Sequence, residues 1–319
     1  MAERGAGWEC GEWRGWRDLD GLRRCLARGA DPEDWHGERP LHVAAVLGSP
    51  EVVAELAGHV ANVDALWEGT TALWEAVVDR RWDNARALVA AGADPWAPVA
   101  GGWSPGRLSL ALPGGRFFTR PADERGLSPA ERAVAEESGR LVAVLEDLHI
   151  DGTGLACVAG IDAAEAVRRL DAVPVRGRAL AELEGADEYD IDTSMRIVGV
   201  TTVPGGCVVT QPWGYTPQSD AVLARLAAGT RCYGLYANPK SGNQGCIARD
   251  GTIRAGDLHP GGGPDPCGSP EEIFLAFLYA DHAAAHACAW AGLGLTEARA
   301  VTGPPDIWVE LPDRGDGDD

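Results

Sequence analysis

The sequence predicts two architectures in series: an α-solenoid of short helix pairs, followed by an α+β domain with an antiparallel sheet. Three observations predict it. The blocks Gly37-Glu-Arg-Pro-Leu41-His-Val-Ala44 and Gly69-Thr-Thr-Ala-Leu73-Trp-Glu-Ala76 repeat Gly, Leu and Ala at an offset of 32 residues, the kind of period that marks a stacked array. Beyond Leu148 that period stops, and apolar runs punctuated by Gly205-Gly206 and Asp250-Gly251 take its place, the pattern of hairpins. The length of 319 residues, with 45 % apolar and 24 % charged side chains, is ordinary globular usage and enough for two cores.

Trp8 to Trp16 would hold the outer helix of a first, capping unit, and Leu19, Leu22, Cys25 and Leu26 the inner face of its second helix. Pro40 suits a helix N-terminus, where its missing N–H has no partner to lose. Leu41 and Ala44 face the core, and alanine lets paired helices approach closely. After each block come apolar positions at helical spacing: Val52, Val53 and Leu56, then Ala85, Leu88 and Val89. Arg28-Gly-Ala-Asp-Pro32 and Ala91-Gly-Ala-Asp-Pro95 each follow such a helix, with Gly29 and Gly92 at the left-handed position that ends it. The last unit is irregular: Gly102-Trp-Ser-Pro105 repeats the turn, but Gly106 stands where leucine belongs. Ser128-Pro-Ala-Glu131 then opens a closing helix, with Ser at the N-cap, Pro at N1 and Glu at N3.

Gly-x-x-Pro-Leu-His-x-Ala-Ala over Gly37–Ala45, with the two Gly-Ala-Asp hairpin entries, resembles the ankyrin repeat, over about residues 8–146. The resemblance implies stacked helix pairs that bind a protein partner through hairpin tips and a concave face. Trp35 and Trp67 occupy the same place, two residues before the turn glycine; Glu38 and Thr70 share the next variable place; His42 and Trp74 share the first turn of the following helix. Trp35, Glu38, Trp67, Thr70 and Trp74 are therefore the expected partner-binding residues, because large aromatics at protruding tips make good hot spots. The same tryptophans could instead brace one hairpin against the next, and His42 in this motif is structural.

In the second half a helix fits Ala163 to Leu170, and an acidic stretch runs from Glu182 to Asp192. Arg196–Val203 and Cys207–Pro212 read as a hairpin turned by Gly205-Gly206, Ser219–Ala228 as a helix, Arg231–Ala237 and Cys246–Arg249 as strands, with Asp250-Gly251 turning the chain into Thr252-Ile253. One long helix is expected from Pro270 through Phe274, Phe277, Leu278 and His282 to about Trp290. Strands first and helices afterwards argue α+β. Gly205-Gly206, Pro212-x-Gly214, Leu226-x-x-Gly229-Thr230, Asn238, Asp250-Gly251 and His259-Pro260 together resemble an uncharacterised actinobacterial domain family, over roughly residues 147–312. That resemblance implies no known activity; its members look like accessory or immunity-type proteins. The expected domains are residues 1–146, 147–312 and a disordered acidic tail, 313–319.

Few residues form a recognisable catalytic or metal-binding motif. His282 and His286 have the i, i+4 spacing of a zinc site, but alanine stands at position 283 where a metalloprotease has glutamate, and no third ligand is evident. Asp187-Glu-Tyr-Asp-Ile-Asp192 lacks the central glycine of an EF-hand loop and reads as a solvated acidic loop. No phosphate-binding Gly-Lys-Ser/Thr occurs. Lys240, the only lysine, sits in a polar loop, and the Arg-Gly-Asp of the tail is chance. The eight cysteines are widely spread with no Cys-x-x-Cys, and reduced thiols are the simplest reading. No cofactor is expected.

The formal net charge of −20 repels phosphate backbones, which argues against nucleic acid and suits a basic partner or plain solubility. No apolar run reaches the roughly 18 residues of a membrane helix, and the first residues carry no secretory signal, so a cytoplasmic protein is expected. Abundant Ala, Gly and Arg with a single lysine look like the coding bias of a GC-rich genome such as an actinobacterial one. The function expected is protein–protein interaction, in an immunity or regulatory role, and not catalysis. Two alternatives stand: an enzyme with an unrecognised site near Cys232, Asp250, His259 or His282, and a domain that binds a small regulatory molecule.

Overall fold

A computed structural model describes residue 8, residues 14–115, 117–146, 148, 150–175 and 195–312. The outer helix expected between Trp8 and Trp16, the acidic stretch 182–192 and the tail 313–319 fall largely or wholly outside the described residues. By its internal contacts the chain divides into two compact units, one of Met1–Ala135 with Gly263–Leu278, the other of Glu136–Gly262 with Tyr279–Asp319.

The first unit is the solenoid. Its helices are α1 (Leu19–Ala27), α2 (Pro40–Leu47), α3 (Pro50–Ala57), α4 (Ala72–Val78), α5 (Trp82–Ala90) and α6 (Pro105–Ser109), and α7 (Pro129–Leu145) begins at its end. α2, α4 and α6 stack in one layer, and α1, α3 and α5 in the other. The equivalent leucines Leu41 and Leu73 are both buried, as are Ala44 and Ala76. Local chemistry starts these helices except α5, whose N-cap Arg81 makes no side-chain capping bond. Thr71 and Ser104 hydroxyls accept the backbone N–H of Trp74 and Arg107 at 3.1 and 3.2 Å, whereas Arg39, in the same place, offers no cap and leaves the start to Pro40. Ser128 and Glu131 form the reciprocal capping box (Ser128 N–H to Glu131 at 2.7 Å, Glu131 N–H to Ser128 Oγ at 3.2 Å). Asp31 and Asp94, the aspartates of the two Gly-Ala-Asp entries, accept N–H bonds from residues two further on, fixing the turn into each hairpin.

Gly106 has a physical reason. A Cβ there would meet the Pro95 carbonyl at 2.7 Å and the Trp96 indole at 3.0 Å. Trp96, itself buried, fills the volume that leucine takes in the other repeats. Cys25 is disulfide-bonded, which corrects the expectation of reduced thiols throughout; sequence spacing does not say which sulfurs folding brings together. Six other described cysteines form no disulfide.

The second unit is α+β. Strands β1 (Gly154–Ala159), β2 (Val173–Pro174), β3 (Ile197–Val203), β4 (Gly206–Gln211), β5 (Arg231–Asn238), β6 (Gly242–Arg249), β7 (Thr252–Leu258) and β8 (Ile307–Glu310) form one antiparallel sheet in the order β2-β8-β3-β4-β1-β5-β6-β7. β1, in its middle, is not among the strands the sequence predicts. Side chains alternate across it: Ala156 and Val158 face a core with Cys207, Cys232 and Cys246, covered by α8 (Ala163–Leu170) and α9 (Asp220–Leu226). On the other face α11 (Ala283–Ala291) packs on β1 and β5, bringing Cys288 Sγ to 3.6 Å from Cys157 Sγ.

The single helix expected from Pro270 to Trp290 is two: α10 (Pro270–Leu278), in the first unit, and α11. The break lies at Tyr279–His282, where Asp281 takes φ 67° and gives its N–H to the Gly261 carbonyl at 2.7 Å. A left-handed residue cannot continue a right-handed helix. A short helix, α12 (Arg299–Thr302), packs on β3 and β4.

Candidate functional site

Between successive helix pairs the first unit projects three two-residue hairpins. Trp35 bridges Glu38, Trp67 bridges Thr70, and Ala100 bridges Trp103. The central residues all have positive φ: His36 and Gly37 at 53° and 95°, Glu68 and Gly69 at 51° and 89°, Gly101 and Gly102 at 54° and 76°. Two positive φ angles in succession are what a type I′ turn requires, which is why a glycine stands second in each. The three tips are thus built alike and presented in a row.

The five residues expected to meet a partner fare differently. Trp35, Glu38 and Trp67 are half-buried. Trp35 sets its edge against the Trp16 ring with centroids 5.2 Å apart, and Trp67 lies edge-on to His42 at 6.0 Å, so both tryptophans brace the array as well as showing part of their rings. Thr70 is only 4 % exposed, its hydroxyl donating to the Trp67 carbonyl at 3.1 Å. Trp74, 1 % exposed, is among the largest fully buried side chains, so neither it nor Thr70 offers side-chain surface to a partner. The exposed side chains of these two turns are those of His36 and Glu68, each the first central residue; standing beside a turn glycine is the signal in the sequence that points to them.

His42 ties one repeat to the next. Its Nε2 donates to the Thr70 carbonyl at 3.1 Å, while Nδ1 is buried with no hydrogen bond among the described residues. Burial holds its pKa below the ordinary 6.5, against the Thr70 contact and aided by Arg39. Asn84 Nδ2 donates to the Ala45 and Gly48 carbonyls at 2.9 and 3.1 Å, closing the end of α2. Near the second tip burial raises the Glu75 carboxyl above its usual range; the Thr70 hydroxyl opposes the shift, and the like charges of Asp79 and Glu68 add to it.

The tips also differ in what covers them. At the third, the Trp103 indole stacks on Phe274 of α10 with centroids 4.5 Å apart and planes at 9°, and its Nε1 donates to the Pro270 carbonyl at 2.9 Å. Arg80, at the end of α4, donates to the Phe277 carbonyl at 3.2 Å, so α10 is held at both ends. Pro266 packs beside Gly69 at the second tip. Around Gly37 at the first tip an added Cβ would meet nothing within 4 Å among the described residues.

The reactive groups considered in the second unit occupy different settings. Cys232 is buried in the sheet core, and Asp250 is exposed at the turn after β6. His259 bonds to the Asn243 carbonyl at 3.3 Å, near the other end of that strand. Six residues of extended chain, about 20 Å, separate Asn243 from Arg249. His282 is the N-cap of α11 rather than a residue within a helix face. No cluster of three or more metal-capable side chains occurs among the described residues.

Stacked helix pairs with a two-residue hairpin between each pair define a repeat module whose surfaces serve recognition. Residues 16–98 match the family model of ankyrin repeats, in three copies, and such repeats are modules of protein–protein interaction. No curated protein matches the chain. The comparisons lend no support to the family resemblance read in residues 147–312. Among the described residues no helix is long and apolar enough to cross a membrane.

Proposed function

We propose that this chain works by binding and not by catalysis, in an immunity or regulatory role, and that its repeat array receives a protein partner at the first hairpin tip, on Trp35, His36 and Glu38, with Trp67 and Glu68 at the margin. The observation that carries the reading is the unequal state of three tips built to one plan: the third stacks on α10 and the second abuts Pro266, whereas at the first no atom of the described residues lies within 4 Å of a Cβ added at Gly37. The partner's contact surface is basic. Over residues 31–79 ten Asp and Glu accompany a single arginine, Arg39, which pairs with Glu33. A field of one sign steers an oppositely charged protein and speeds encounter.

The test is recovery of the partner from the native host on the immobilised full chain. Glu38→Arg with Glu68→Arg, and separately Trp35→Ala, are compared with the unaltered protein and with a charge reversal of matched size at Glu165 and Glu297 in the second unit. Recovery should fall with the tip variants, steeply at low salt for the charge reversals, and persist with the control. Unchanged recovery from the tip variants refutes the site.

A further inference from the structure

Two arginines in the second unit stand where neither the fold nor partner binding by the array uses them. Arg231 opens β5, Arg249 closes β6, and the antiparallel register sets them directly opposite one another. Residues so paired share a face with Cβ atoms about 4.5–5.5 Å apart, and like charges there repel. In a chain of 48 acidic and 28 basic side chains the expected neighbour of each is a carboxylate. Among the described residues neither arginine makes an ion pair or a side-chain hydrogen bond, although Asp250 follows Arg249 in the chain. Both lean instead on one ring: their Cζ atoms lie 5.7 and 5.0 Å from the Trp290 centroid. Arg231 also lies against the C-terminal end of α11, where its Nη2 is 2.8 Å from the position a Cβ on Gly292 would take.

The face of an indole and the carbonyl end of a helix both attract positive charge, so both guanidinium groups are steadied by contacts that leave their N–H edges unused. Each guanidinium carries five donors in a rigid fork. We propose that Arg231 and Arg249 form a receptor for a phosphate monoester dianion, with Trp290 as the wall that fixes both forks. Two facing cations match a group whose charge approaches −2 and whose oxygens accept several N–H bonds; a carboxylate brings half that charge. A small phosphorylated molecule and a phosphorylated side chain present the same head group.

Arginine Nε–Hε spectra of the full-length, nitrogen-15-labelled chain test this. Inorganic phosphate is added at pH 8, where the dianion prevails, with sodium chloride of equal ionic strength as the control. Two resonances, identified by their loss in Arg231→Gln and Arg249→Gln, should shift to saturation with phosphate alone. Each glutamine variant should weaken binding about tenfold or more, the loss of charge-assisted bonds, and Arg249→Lys should fall between. Each glutamine variant relieves like-charge repulsion between the paired positions as it gives up the contact with Trp290, and should melt close to the parent, separating loss of binding from loss of fold. Methyl phosphate binding as tightly as a capped phosphoserine peptide assigns the site to small molecules; tighter binding of the peptide assigns it to a modified partner. Equal shifts with chloride, no saturation, or a phosphate response kept in both folded glutamine variants overturns the proposal.

Discussion

Truncating Trp103 to alanine removes three interactions from the third tip at once. The indole, 3 % exposed, loses its stack on Phe274, its N–H bond to Pro270 and the Arg107 guanidinium, whose Cζ lies 4.1 Å from the ring centroid. A buried tryptophan cut to alanine costs about 3–5 kcal/mol where the site does not collapse. Of that, the ring pair contributes about 0.5–1.5 kcal/mol beyond area and the hydrogen bond about 1 kcal/mol. Urea unfolding of the full chain followed by far-ultraviolet dichroism measures the loss in the first unit. A double-mutant cycle with Phe274→Ala isolates the stack and should return a coupling of about 1 kcal/mol. Trp103→Phe keeps the ring overlap, gives up the N–H bond and should cost about 1–2 kcal/mol, leaving the Pro270 carbonyl to find water. A Trp103→Ala cost below about 1 kcal/mol, or a cycle that closes with no coupling, would show that the tip does not hold α10, and the inference that this tip is occupied would fall with it.

Restoring the repeat's leucine at Gly106 should destabilise the array by about 1–3 kcal/mol, because the added side chain collides with Trp96 and the Pro95 carbonyl; a partner substitution Trp96→Ala should recover part of the loss, and a more stable Gly106→Leu protein would contradict the packing argument. Stability should fall in acid. Burial alone pulls His286 from its ordinary 6.5 to about 4, and burial likewise lowers His42. A histidine with a depressed folded pKa is neutral in the native state, so its contribution is whole above pH 6.5 and is lost as pH falls through that value towards 4, by at most about 3 kcal/mol for His286. Melting temperatures at pH 8 and pH 5 check this: His286→Phe, able to sit against Tyr233 and Tyr279, should show a smaller drop than the parent, and an equal drop removes the assignment.

The solenoid was legible because its rules are local. The 32-residue period, the Pro, Ser and Thr at helix starts and the glycine in each turn act through neighbours in the chain, and Ser128–Glu131 forms the capping box its spacing announced. The hairpin at Gly205-Gly206 and the turn at Asp250-Gly251, both residues of the latter at positive φ, were legible for the same reason. β1 was not, although Leu155-Ala-Cys-Val158 is an unbroken apolar run, because a strand buried on both faces carries no alternation to announce it. The break after Leu278 was invisible because the partner of Asp281 is Gly261, twenty residues away. At the candidate site the turns were legible from their glycines, but the burial of Thr70 and Trp74 was not: equivalent places in a repeat are not equivalent surfaces, and burial depends on what the next repeat lays over them. The opposition of Arg231 and Arg249 is a matter of register, which no local pattern fixes.

The return of residues 263–278 to the first unit has a consequence for how the chain is made. The Pro270 carbonyl that receives the Trp103 N–H lies 167 positions downstream. At about 5–20 residues per second, a ribosome delivers it roughly 8–33 seconds after that indole. Throughout the interval the nascent array carries an aromatic face that its own distant helix is destined to occupy, open to whatever chaperone or stray helix arrives first.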